Sequence, residues 1–137
     1  MTLSLHHIAI ICSNYPRSKH FYTHVLGFTQ LAEHYRPQRN SYKLDLVIGD
    51  PKEPDYHSAP RLELFSFANP PPRPTNPEAR GLRHLALLVP DLDAELARLA
   101  THGITAEPIR TDEYTGQRFT FIRDPDELPI ELYETAR

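Results

Sequence analysis

The chain has 137 residues, 39% of them hydrophobic and 24% charged, with a formal net charge of −3 at pH 7. That length suits one domain or two very small ones, and that composition excludes intrinsic disorder. Fifteen basic against 18 acidic side chains raise no broad positive field, so nucleic acid is not an expected partner. The single cysteine, Cys12, precludes an intramolecular disulfide. The first residues lack the basic and apolar regions of a signal peptide, and no apolar run approaches the ~20 residues of a membrane helix. The expectation is a cytoplasmic, soluble protein that engages no membrane.

Leu3 to Cys12 is apolar and β-branched apart from its histidines, and reads as a buried strand. Asn14 is an N-cap for a helix with Pro16 in its first turn; Phe21, Tyr22, Val25 and Leu26 repeat at helical spacing, and Gly27 ends it. Phe28 to Arg36 and Tyr42 to Gly49 are two further strands, the second with Leu44, Leu46 and Ile48 on one face. Asp50 to Pro60 is a loop and Arg61 to Phe67 a strand. Ala68 to Arg80 carries five of the 14 prolines and is read as a stiff linker.

After the linker the order repeats. Leu82 to Val89 is a strand, Asp91 caps a helix striped by Leu92, Leu96 and Leu99, and Gly103 ends it. Ile104 to Arg110, Arg118 to Arg123 and Pro129 to Glu134 are three more strands, with Asp124-Pro125-Asp126 turning between the last two. Leu5-His6-His7-Ile8-Ala9-Ile10-Ile11 matches Leu82-Arg83-His84-Leu85-Ala86-Leu87-Leu88, and Leu62-Glu63-Leu64-Phe65 matches Ile130-Glu131-Leu132-Tyr133. The fold class is therefore α+β: two tandem βαβββ modules, residues 3–67 and 81–135, joined by the linker at 68–80.

Each module thus carries a histidine on its first strand and a glutamate on its last. Alternation sets Glu63 with Phe65 and Phe67, Glu131 with Tyr133, His7 with Ala9 and Ile11, and His84 with Ala86 and Leu88. A lone carboxylate on such apolar faces costs several kcal/mol unless a partner offsets its desolvation. His7, Glu63, His84 and Glu131 facing one cavity would be offset together by one divalent ion; nitrogen and oxygen donors suit Ni, Co, Zn, Fe or Mn. Four such ligands leave two octahedral positions for water or a bidentate substrate. His6 competes with His7 but is assigned to the opposite face, where Arg83 is its counterpart. His20, His24, His34, His57 and His102 are read as solvent-facing and Cys12 as a small core residue.

The paired βαβββ units, His-φ-Ala-φ (φ being apolar) opening the second and Asp-Pro-Asp-x-x-Pro-φ-Glu-φ closing it, resemble the vicinal oxygen chelate superfamily, and within it the glyoxalase I-like proteins. The resemblance runs from Leu5 to Glu134. It implies a curved mixed sheet, a half-barrel, around one metal, and the ligand set His7, Glu63, His84 and Glu131. It further implies a lyase or isomerase acting on a small chelating substrate such as a 2-oxoaldehyde–thiol adduct. Glu131 would then be the main base, Glu63 its partner, and the metal would stabilise the enediolate. Homodimers are usual among such chains. Other readings stay open: an extradiol-type dioxygenase or thiol transferase, and a drug-binding protein of bleomycin-resistance type. Glu127 stands where the family commonly has glycine, and the linker (Asn69 to Arg80) replaces the segment that contributes glutathione contacts in glyoxalase I. Arg36, Arg39, Lys43 and Arg118 are candidates for a cavity mouth that favours anions, and Tyr114 to Gln117 for a loop over the site.

Overall fold

The structure is a computed structural model and describes residues 1–136. The chain divides into two compact units, Met1–Pro72 and Arg73–Arg137, each built around its own mixed four-stranded sheet. The class is α+β, as expected.

In the first unit the strands are β1 (His7–Cys12), β2 (Thr29–Arg36), β3 (Ser41–Val47) and β4 (Arg61–Ser66), in spatial order β1-β4-β3-β2. The first strand pairs parallel with the last, Ala9 opposite Glu63, and the other pairings are antiparallel. Helix α1 (Tyr15–His20) starts where the Asn14 side chain accepts the Arg17 amide at 3.0 Å. It runs into a π-helical turn, Phe21–Val25, closed by Leu26 N–H to Phe21 carbonyl at 2.9 Å. The widened turn sets Phe21, Tyr22 and Val25 all in the core, and Gly27, at φ 80°, supplies the expected left-handed stop. Leu44, Leu46, Leu62 and Leu64 are fully buried on the helix side of the sheet.

The second unit repeats the plan with β5 (Leu85–Val89), α2 (Leu92–Ala100), β6 (Arg110–Thr111), β7 (Arg118–Arg123) and β8 (Pro129–Glu134), in order β5-β8-β7-β6. Asp91 caps α2 through the Ala94 amide at 3.0 Å, and Leu92, Leu99, Ile122, Ile130 and Leu132 form the core. At the turn before β8 the buried Asp124 carboxylate accepts the Asp126 and Leu128 amides at 2.8 and 2.9 Å. Glu127 takes the left-handed conformation there, φ 68°, that a glycine would adopt at lower cost.

Three segments differ from the sequence reading by three residues or more. Met1 to Leu5 are exposed and outside the sheet, because β4 offers β1 partners only from Arg61 onward. Likewise β5 begins at Leu85, so His84 immediately precedes the strand. Ile104 to Ile109 form no strand: Pro108 has no N–H for the ladder, which resumes for two residues at Arg110 and Thr111. Residues 68–80 carry neither helix nor strand.

Candidate metal centre

In the first unit, His7 and Glu63 project from the sheet face opposite the buried leucines. His7 Nε2 lies 2.8 Å from Glu63 Oε2. The carboxylate's other oxygen meets Lys43 Nζ at 3.0 Å, and that ammonium also reaches Asp45 at 2.9 Å. Asp45, then Glu63, hold the Lys43 ammonium above its usual range against the opposing effect of burial. Lys43, expected near a cavity mouth, thus sits directly on a candidate ligand.

His6 was assigned to the other face, and the structure corrects this. Because β1 starts at His7, strand alternation does not govern His6; its Nδ1 lies 2.8 Å from His7 Nδ1. Donor atoms of His6, His7 and Glu63 fall within 4.8 Å of one another.

The second unit holds the same pair. His84 Nε2 lies 2.9 Å from Glu131 Oε2, with the His84 ring edge-on to Phe121 at 5.2 Å. Among the described residues, His84 alone engages the Glu131 carboxylate at hydrogen-bond distance. The pair lines a cleft of about 790 Å³ shared with Arg73, Arg110, Phe119 and Phe121. Register explains the repeated alanine: Ala9 sits directly opposite Glu63, and Ala86 opposite Glu131. A larger side chain there would crowd the carboxylate. On the other flank the units diverge, with Asp45 opposite Glu63 but Phe121 opposite Glu131.

The remaining candidates separate cleanly. Arg118 is not at a cleft; it binds Glu134 (3% exposed) through two nitrogens at 2.8 and 2.9 Å, and Asp93 at 2.9 Å. Phe119 and Phe121 take the cleft face of β7, so Arg118 must take the other. Arg39 is exposed in a short 3-10 turn, Pro37–Arg39. Arg36 lies over Phe65 and Phe67, 4.8 and 5.7 Å from their ring centres. The Tyr114 to Gln117 loop is pinned beside the cleft: Thr115 bonds the Tyr133 hydroxyl, which also donates to Asp112 at 2.8 Å. Arg110 was not singled out from sequence, because nothing fixed the β6–β7 register that brings it over the phenylalanines.

The donor geometry suits a cation. Each His–Glu pair brings an imidazole nitrogen and a carboxylate oxygen to 2.8 or 2.9 Å, a charge-assisted hydrogen-bond distance that also keeps both donors within reach of one ion. Imidazole plus carboxylate is also a donor set for borderline divalent metals.

The family model of the Glyoxalase/Bleomycin resistance protein/Dioxygenase superfamily matches residues 4–132. The chain belongs to that superfamily. It is 56% identical over 131 residues to the uncharacterized protein YwkD of Bacillus subtilis (strain 168), covering 96% of each chain. It superposes on the crystal structure of a glyoxalase family protein from Enterococcus faecalis with a TM-score of 0.84 at 45% identity, covering 96% of this chain and 97% of that one. The trypanothione-dependent glyoxalase I of Leishmania major follows at a TM-score of 0.71 and 25% identity, covering 97% and 87%. Members of the superfamily typically bind a divalent metal, and His6, His7 and Glu63 make a possible site for one. No described helix is long and apolar enough to cross a membrane.

Proposed function

We propose that the protein is a metal-dependent lyase or isomerase of glyoxalase I type, acting on a small substrate that presents two vicinal oxygens. One divalent ion (Ni, Co, Zn, Fe or Mn) would be held by His7, Glu63, His84 and Glu131, within one chain or across a homodimer. The observation that carries this reading is the repeated His–Glu pair, 2.8 Å in one unit and 2.9 Å in the other. The likeness to the Leishmania glyoxalase I supports the reaction class.

When bound, such an ion supplies Lewis acidity toward the substrate's oxygens. The chain's own residues do the rest. Ligation through Nε2 requires the His7 ring proton on Nδ1, where His6 Nδ1, 2.8 Å away, accepts it. Glu63, held between His7 and Lys43, is committed to position; Glu131, engaged among the described residues by His84 alone, can take up a proton from substrate carbon on a carboxylate oxygen and return it to the neighbouring carbon.

The test is elemental analysis of protein purified without chelators, coupled to a screen with methylglyoxal plus thiols. Bound metal with turnover is the expected result, and Glu131→Gln should abolish turnover while retaining some metal. Full activity in that variant would refute the assignment of the base. Iron-dependent oxygen uptake would favour a dioxygenase, and absence of both metal and activity, even after added nickel, cobalt, zinc or manganese, a binding protein.

A further inference from the structure

We propose that Arg110 is an anion-binding residue and that the cleft ligand is a small carboxylate, its charged end on Arg110 and its other end at the His84–Glu131 pair. This rests on the metal reading above for the second end only.

Four arginines line the cleft, and two of them are already neutralised: Arg83 by Glu78 at 2.5 Å and Arg123 by Glu127 at 2.9 Å. Arg110 is not. Its guanidinium carbon lies 5.1 Å from the Phe119 ring centre and 5.5 Å from that of Phe121. Its nearest carboxylate among the described residues, Glu107, stands at 3.9 Å, beyond hydrogen-bond reach. Asp112, close by, is spent on the Tyr114 amide and the Tyr133 hydroxyl at 2.9 and 2.8 Å. A guanidinium laid over aromatic faces is oriented by them, while its N–H edges stay available as a fork for a planar oxyanion. Arg73, the fourth, donates its Nη2 to the Leu82 carbonyl at 3.1 Å.

Phe121 fixes the spacing. The same ring that bears Arg110 meets His84 edge-on at 5.2 Å, so a single aromatic ring separates the cation from the candidate ligand pair. That span fits a molecule of a few carbons with a chelating end and a carboxylate end. The first unit also lays an arginine over aromatic rings, Arg36 over Phe65 and Phe67, but there Nη2 already donates to the Ser41 hydroxyl at 2.7 Å.

Two probes with the same chelating end test this: 2-oxoglutarate, which has a terminal carboxylate, and 2-oxopentanoate, which lacks it. In calorimetric titrations of nickel-loaded protein, 2-oxoglutarate should bind about tenfold or more tighter, the scale of a charge-assisted pair. Arg110→Gln should erase that preference with nickel content and 2-oxopentanoate affinity unchanged, whereas Arg123→Gln should keep it. Equal affinity of the probes for the unaltered protein, or a preference that survives Arg110→Gln, overturns the proposal. If nickel or both probes fail to bind, the metal reading falls instead. Glutarate titrated into metal-free protein then decides the arginine alone, through the Arg110 Nε–Hε resonance: a saturating shift supports the anion site, and an unmoved resonance overturns it.

Discussion

Glu134, at the end of β8, accepts the Leu92 amide at 3.0 Å besides the two nitrogens of Arg118. It therefore ties the last strand to the first turn of α2, where a carboxylate also suits the helix dipole. Asp93 and Glu134 both hold the Arg118 guanidinium well above its ordinary pKa, Glu134 the more strongly. Removing the cation leaves the buried Glu134 carboxylate partly uncompensated, so Arg118→Ala should lower the urea midpoint of unfolding. Urea unfolding measures it, and Glu134→Leu in the same chain should restore much of the loss. An unchanged midpoint for Arg118→Ala would show instead a solvated surface pair. From sequence, Arg118 was a candidate for the cavity mouth. Its true side depended on Phe119 pairing with Tyr133, a register that no local pattern specifies. His7, Glu63, His84 and Glu131 were legible because duplication marks them twice. Lys43 and His6 gave no such signal.

At the scale of elements, both helix starts were readable in full, since a cap is a local device: Asn14 and Asp91 each accept the amide three residues on. Replacing either by alanine should cost about 1 kcal/mol, with serine retaining most of the stability. Thermal unfolding of the two variants provides the measurement; no change for Asp91→Ala would mean that Glu134 alone secures the start of α2. What the sequence concealed were the places where pairing, rather than composition, sets the length. Leu3 to Leu5 have strand-forming character but lie outside the sheet, His6 joins it only through its carbonyl, which accepts the Arg61 amide at 3.2 Å, and Ile104 to Ile109 are interrupted by Pro108. The π-turn at Phe21–Val25 escaped as well, because the spacing of its buried residues also satisfies an ordinary helix.

For the whole molecule, the proposed centre has a signature that separates one shared ion from two independent ones. If His7, Glu63, His84 and Glu131 serve a single ion, the chain binds one equivalent, and His7→Ala or His84→Ala each removes nearly all tight binding. Two separate sites would give two equivalents, halved by either variant. Nickel at a hundredfold excess over its dissociation constant should also raise unfolding stability by about 2.7 kcal/mol, and chelation should reverse the gain; calorimetry reads both. The same picture predicts that Ala86→Leu depresses metal affinity without unfolding the second unit, since Ala86 is exposed beside Glu131.

The parallel pairing of first with last strand in each sheet bears on how this protein emerges from the ribosome. His7 finds its neighbour only at Arg61, and Leu85 only at Ile130. In each half the opening strand has no sheet neighbour until the closing one has left the exit tunnel. Such long-range closure slows folding, and it leaves an apolar ribbon waiting in the nascent chain, the stage at which chaperones and aggregation compete for it.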